Sequence, residues 1–310
     1  MAARALACCL TFVLVTISIV YMRKSANMLS RGVAPSRILS KSRLFAGHRA
    51  HMLTKHLRMS HSSPFRGSGR VRASQLEGLD PTQVELMREE CILVDEGDRV
   101  VGHASKYETH LMENIEQGKA LHRAFSVFLF DSEGRLLLQR RAPEKITFPN
   151  AWTNTCCSHP LYREEELESK DHMGVKKAAC RKLDHELGIS SDLVQPQDLV
   201  FLTRILYKAP SDGIWGEHEV DYILFGQKDL PELTTINANE VSEATYVTPA
   251  ELKEILETEE MGGEKVVLTP WFRLIAESGR LFNWWKELPT ILQTKASNDI
   301  RETDMIITMR

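Results

Sequence analysis

The chain has 310 residues, 43% hydrophobic and 26% charged, an ordinary globular composition with material for one or two domains and a sizeable core. Its net charge of −3 conceals an asymmetry: residues 1–76 hold 13 Lys and Arg and no Asp or Glu, so residues 77–310 carry 26 basic against 42 acidic side chains, a formal −16. So acidic a body argues against a nucleic-acid partner, and a small polyanionic substrate would need cations or metal ions placed locally.

Residues 5–22 are uncharged and rich in Leu, Val and Ile, flanked by Arg4 and Arg23-Lys24. Eighteen residues is borderline for a membrane span and long for a signal core. From Arg23 to about Ser74 the chain is Arg- and Ser-rich, acid-free and weakly periodic, the composition of an organelle transit peptide. A removable leader over 1–76 is expected, with a basic, disordered tail or a membrane anchor through 5–22 as the alternative. Cys8 and Cys9 lie in this segment; Cys91, Cys156, Cys157 and Cys180 lie in the body. No C-x-x-C spacing occurs and adjacent cysteines bridge poorly, so free thiols in a reducing compartment are expected.

The folded body, 77–310, begins near Leu79. Asp80-Pro81 supplies an N-cap and first-turn proline for a short helix reaching Arg88. Residues 91–95 and 99–103 read as a hairpin about Glu96-Gly97-Asp98. Residues 122–130 form a strong strand, 131–134 a turn and 135–141 the return strand. Residues 173–187 have helical spacing and end at Gly188, a good C-cap. Residues 201–207 and 220–225 read as strands around a loop over 209–216. Thr248-Pro249 opens a helix through Leu256, and Thr269-Pro270 opens one running through Trp284-Trp285. Hairpins, then a helix, more strands and more helices imply a mixed α/β (α+β) fold with antiparallel pairing, not a doubly wound parallel sheet. There is no internal repeat and no Gly-rich phosphate loop.

Two stretches concentrate chemistry. In Trp152-Thr153-Asn154-Thr155-Cys156-Cys157-Ser158-His159-Pro160, a thiol beside an imidazole can act as acid, base, nucleophile or metal ligand. In Trp215-Gly216-Glu217-His218-Glu219, two carboxylates spaced for one face of a strand should repel, raising at least one pKa unless a cation intervenes. A solvated polar edge is the alternative, weakened by the apolar residues on both sides. His110, His122 and His159 adjoin strand ends or the cysteine loop; with a carboxylate they would suit a divalent ion such as Zn²⁺ or Mn²⁺, although each taken singly is by default an ordinary histidine. Arg140, Arg141 and Lys145, with Lys106 after the first hairpin, could hold phosphate oxygens or form a solvated turn. Trp271 is a core aromatic or a wall over a positive centre.

These stretches resemble type I isopentenyl-diphosphate delta-isomerase in its eukaryotic form: residues 121–128, 136–139, 145–149, 152–160, 211–219 and 270–272, within a region from Leu79 to Trp285. The resemblance implies a Nudix-like fold, a mixed sheet between helices. Nudix hydrolases keep glutamates where Lys182 and His185 stand, and of that acidic set only Glu186 remains, which argues against diphosphate hydrolysis. It implies reversible conversion of isopentenyl diphosphate to dimethylallyl diphosphate through a tertiary carbocation, with Cys157 and Glu219 catalytic. It further implies one metal held by His110, His122, His159, Glu217 and Glu219, and a Mg²⁺ on Glu186 that rides on the diphosphate. Lys106, Arg141, Lys145 and Ser158 would contact the diphosphate; Tyr207 and Trp271 would line the hydrocarbon end. The metal of the His/Glu site would be Zn²⁺, Mn²⁺ or Mg²⁺. The expected unit is a monomer acting on a small molecule, in the cytoplasm or, through the leader, in a plastid or mitochondrial matrix. The competing readings are a Nudix-type diphosphate hydrolase, a metal-binding or thiol-sensing module, and a Cys–His hydrolase.

Overall fold

A computed structural model describes residues 73–293 and 304–309. The apolar stretch 5–22 and all but the last four residues of the expected leader lie outside the described residues. Among those described, no helix is long and apolar enough to cross a membrane.

Helix α1 (Pro81–Leu86) starts where Asp80 accepts hydrogen bonds from the backbone N–H groups of Thr82 and Gln83. Strands β1 (Glu90–Val94) and β2 (Val100–Ser105) form the expected antiparallel hairpin. Two short helices come next, α2 (Lys106–His110) and α3 (Met112–Glu116). A reciprocal capping box between Ser105 and Glu108 opens α2, a five-residue element too short to produce hydrophobic periodicity. Strand β3 (His122–Phe130) is buried throughout. Strands β4 (Leu136–Arg141), β5 (Trp152–Thr153) and β6 (Cys156–Ser158) precede helix α4 (Met173–Leu187), which ends on left-handed Gly188. Then come β7 (Val200–Pro210), β8 (Gly216–Gln227), β9 (Val241–Val247) and α5 (Pro249–Thr258). The small hairpin β10 (Glu260–Met261) and β11 (Glu264–Lys265) leads to α6 (Pro270–Glu277), α7 (Arg280–Lys286), α8 (Leu288–Gln293) and β12 (Ile306–Thr308).

Ten strands make one mixed sheet with the path β12-β7-β8-β3-β1-β2; β4, β5, β6 and β9 branch from it. The central β3–β8 pair is parallel over nine residues, and β7–β8 is antiparallel. Because β3 is covered on both faces, its alternating side chains feed two cores. Phe128 and Phe130 join Phe225, Phe272 and Trp285 on one face; Phe125, Val127 and Leu129 join Leu183 and Leu187 of α4 on the other.

Four local expectations change. The return strand β4 meets β3 at only one register position, Phe130↔Leu136, and pairs along its length with β9, a strand the sequence pattern does not mark. The loop between β7 and β8 is shorter than expected, because both strands extend to Pro210 and Gly216. The C-terminal helix breaks at Gly279, whose φ of +75° stops α6 and lets α7 start in a new direction. Helix α5 runs two residues further than Leu256, to Thr258.

Candidate active site

The site lies where β3, β6 and β8 meet the loop after β4. On β3, His122 stands opposite Glu219 of β8, and Ser126 stands opposite Cys157 of β6. His110, at the end of α2, and His159, just past β6, close the group. One ligand atom from each of His110, His122, His159 and Glu219 lies within 4.8 Å of all the others, and all four residues are buried.

Second contacts orient these rings. His110 Nδ1 lies 2.8 Å from the carbonyl oxygen of Lys106, and His122 Nδ1 lies 2.8 Å from that of Ala120. A carbonyl accepts only, so both Nδ1 atoms carry a proton, and both Nε2 atoms are left buried without a hydrogen-bond partner. Burial, with the neighbouring imidazoles, lowers His110 well below the usual histidine range, and burial takes His159 down to about 3 despite its contact with Glu219. Two buried imidazoles fixed through Nδ1 by backbone carbonyls, with unpartnered Nε2 atoms, together with His159 and one carboxylate, are a fitting donor set for a divalent ion. Glu217 stands beside this group, outside the four.

A hydroxyl bridges the two glutamates. Tyr207 OH is 2.9 Å from Glu217 Oε2 and 2.5 Å from Glu219 Oε2. One hydroxyl has one proton to donate, so one carboxyl must donate to it. Burial and the facing Glu219 push Glu217 up to about 7, whereas the imidazoles of His122 and His159, with Nε2 atoms 3.4 Å and 2.7 Å from Glu219 Oε1, overcome burial and hold Glu219 well below the ordinary carboxylate range. Of the two carboxyls that share Tyr207, Glu217 is the one that more readily takes up a proton.

Across the recess, the two adjacent cysteines point opposite ways, as strand geometry requires. Cys157 lines the cavity; Cys156 is fully buried, its Sγ 3.5 Å from Glu186 Oε2. Burial pushes the Cys157 thiol up to about 12 against the pull of Arg141, whose Nη1 is 3.7 Å from the sulfur, so it rests protonated. The guanidinium of Arg141 is locked by the Thr147 and Phe148 carbonyls and sits 5.8 Å from the centre of the Trp271 ring. Trp271 is 2% exposed and donates from Nε1 to Asn154 Oδ1.

Ten of the expected site residues line this one recess: Lys106, Arg141, Lys145, Cys157, Ser158, His159, Tyr207, Glu217, Glu219 and Trp271. His110 and His122 belong to the buried ligand group, and Glu186 lies behind the cysteines on α4. Both Glu186 oxygens are engaged: Lys182 Nζ lies 3.1 Å from Oε1, and Gln139 Nε2 donates to Oε2 at 3.1 Å. Phe125, Ser126 and Thr147 also line the recess and were not expected. Thr147 lies inside the 145–149 stretch, whereas nothing in the pattern of β3 marks Phe125 or Ser126 apart from its core residues.

A NUDIX domain model matches residues 120–272, which sets the class of scaffold. The chain is 54% identical over 222 residues to isopentenyl-diphosphate Delta-isomerase I, chloroplastic, of Arabidopsis thaliana, covering 71% of this chain and 75% of that protein. It is 56% identical over 209 residues to the plant's form II, also named chloroplastic, covering 67% and 72%. To the isopentenyl-diphosphate delta-isomerase of Gibberella zeae it is 54% identical over 219 residues, covering 70% and 83%. The chain belongs to the isopentenyl-diphosphate Delta-isomerase family.

Proposed function

We infer that this chain interconverts isopentenyl diphosphate and dimethylallyl diphosphate by adding a proton to the alkene and removing one from a neighbouring carbon. The observation that carries this reading is one recess lined together by the Cys157 thiol, by the buried Glu219–Tyr207–Glu217 array and by the cations Lys106, Arg141 and Lys145. An isolated alkene has no carbonyl to stabilise a carbanion, so protonation precedes deprotonation and a tertiary carbocation forms between them. Two acid–base groups on opposite sides of a small pocket suit that sequence. One delivers a proton while the other accepts one, and since the reaction is reversible their roles exchange.

Tyr207 bridges Glu217 and Glu219 and can pass a proton between them. Arg141 beside the sulfur favours the thiolate when Cys157 gives up its proton. Trp271 and Tyr207 exclude water that would trap the cation as an alcohol. The indole also offers cation–π attraction, worth about 2 kcal/mol or more when desolvated. Lys106, Arg141, Lys145 and Ser158 hold the diphosphate, so binding energy from that group fixes the five-carbon chain.

A divalent ion on His110, His122, His159 and Glu219, with Glu217 adjoining, would set the proton affinity of Glu219; Zn²⁺, Mn²⁺ and Mg²⁺ are the candidates. Glu186 would hold a Mg²⁺ arriving with the diphosphate, as Mg²⁺ commonly takes one or two carboxylates plus substrate phosphates. The hydrolase alternative is weakened by Lys182, whose ammonium occupies the neighbourhood of Glu186 where a hydrolase needs further carboxylates. The names of the Arabidopsis relatives support reading residues 1–76 as a plastid-directing leader.

The test is proton NMR of isopentenyl diphosphate with the protein and Mg²⁺, with and without a strong chelator. Dimethylallyl signals should grow in and should be abolished by the chelator. Release of phosphate without those signals would establish the hydrolase instead.

A further inference from the structure

We propose that Glu240 is a positioning residue for the substrate's diphosphate, acting through Lys145. The proposal rests on the isomerase reading. Lys145 lines the substrate recess, yet its side chain is only 8% exposed, and on the side away from the recess Nζ meets Glu240 Oε2 at 2.5 Å. Glu240 is more deeply buried, with its side chain 1% exposed. Its other oxygen accepts from Gln83 Nε2 at 3.2 Å, and its backbone carbonyl accepts from Ala142 N at 3.0 Å. One residue thus fixes both the backbone at the start of the Lys145 loop and the ammonium the loop delivers.

Behind Glu240 the charges continue inward. Lys182 Nζ lies 3.8 Å from Glu240 Oε2 and 3.1 Å from Glu186 Oε1. The result is a buried row, Lys145–Glu240–Lys182–Glu186, with two charges of each sign. Buried ion pairs of this kind contribute little net stability compared with apolar packing. They do set geometry. A lysine has a flexible four-carbon stem and three donor hydrogens. Glu240 takes one donor and holds the stem, leaving the others to point at phosphate oxygens.

Removing the carboxylate does not simply leave a stronger cation for the substrate. Burial takes Lys145 down to about 8 even with Glu240 in contact, and Lys106, Arg141 and Lys182 push the same way, while Glu240 opposes them. These and the more distant Glu186 are the charged groups bearing on it. Without Glu240 the ammonium would be repelled from its present position and would lose its proton at lower pH. Ordering therefore outweighs the gain in local positive potential.

The experiment uses the full chain with Mg²⁺ and compares Glu240→Gln, Lys145→Met and the double variant. The readouts are kcat and KM for isopentenyl diphosphate, the pH profile of kcat/KM, and calorimetric binding of inorganic pyrophosphate. Glu240→Gln should raise KM and weaken pyrophosphate about tenfold, with kcat changed by less than about threefold. The alkaline limb of kcat/KM should move to lower pH. In the Lys145→Met background, Glu240→Gln should add nothing, because the two act as a unit. An unchanged or lowered KM in Glu240→Gln, or effects that multiply in the double variant, overturns the proposal. Should Glu240→Gln fail to fold, Glu240→Asp replaces it: its shorter arm keeps the charge, and a KM no higher than that of the parent chain overturns the proposal equally. A parent chain that binds pyrophosphate but does not isomerise would instead refute the underlying functional reading.

Discussion

The neighbouring cysteines divide by the direction of their side chains. Cys157 faces the recess, where it meets Arg141 and Thr153; Cys156 faces α4 and Glu186. Cys157→Ala and Glu219→Gln should each abolish isomerase activity in the NMR assay while leaving substrate binding largely intact, because neither carries the cations of the phosphate loop. Cys156→Ala should retain much of the activity. A dead Cys156→Ala beside an active Cys157→Ala would reverse the assignment. The pair and the Glu217/Glu219 spacing were legible from the sequence because both are local patterns. The bridging of the two glutamates by one hydroxyl was not, since it depends on Tyr207, which only the β7–β8 register places opposite Glu219. The histidines were legible as candidates but not as a set: His110, His122 and His159 meet only through the placement of α2, β3 and β6. Glu240 gave no signal at all. An isolated glutamate before a modest strand looks solvated until Lys145 and Gln83 are brought to it.

At the scale of elements, capping and turn chemistry carried most of what could be read. Asp80-Pro81, the turn at 131–134 and Gly188 each mark a boundary through a backbone requirement of one or two residues. Strand β9 escaped because its residues, Val-Ser-Glu-Ala-Thr-Tyr-Val, alternate weakly and only its two end valines are buried. Helix α2 escaped because the Ser105/Glu108 capping box was its only marker. Gly188 is the sharpest case for a test. Its φ is +67°, and an added Cβ would fall 2.0 Å from Thr235 Oγ1. Gly188→Ala should therefore combine left-handed strain with a clash, costing about 1–3 kcal/mol of stability in denaturant unfolding. Glu186 lies on the last turn of the same helix, so the substrate's KM should rise as well. A fully stable, fully active variant would contradict the cap.

Over the whole molecule, the charge asymmetry and the placement of the site point to the same division of labour. Of the 26 basic residues in the acidic body, Lys106, Arg141 and Lys145 line the recess, and every residue assigned a role there lies between Lys106 and Trp271. The described residues at the start of the body make structural contacts: Tyr107 OH donates to Gln75 Oε1 at 2.5 Å, and Leu76 and Leu79 pack against Met87, Tyr107, Ile146 and Trp215. Ile146 adjoins Lys145 and Trp215 precedes the Glu217/Glu219 strand, so this small apolar cluster braces two loops that carry the site. The expected boundary at 76/77 cuts through that cluster. Deleting residues 1–72 should leave kcat/KM within about twofold, while deleting 1–79 removes two partly buried leucines. Each leucine side chain is worth about 1.5–3 kcal/mol when fully buried and less here. The longer deletion should lower Tm by several degrees and raise KM, because the braced loops hold both Lys145 and the carboxylates. Equal Tm and KM for the two deletions would mean that the cluster is ornamental. A loss of activity on removing 1–72 alone would mean that this segment contributes to the activity of the body.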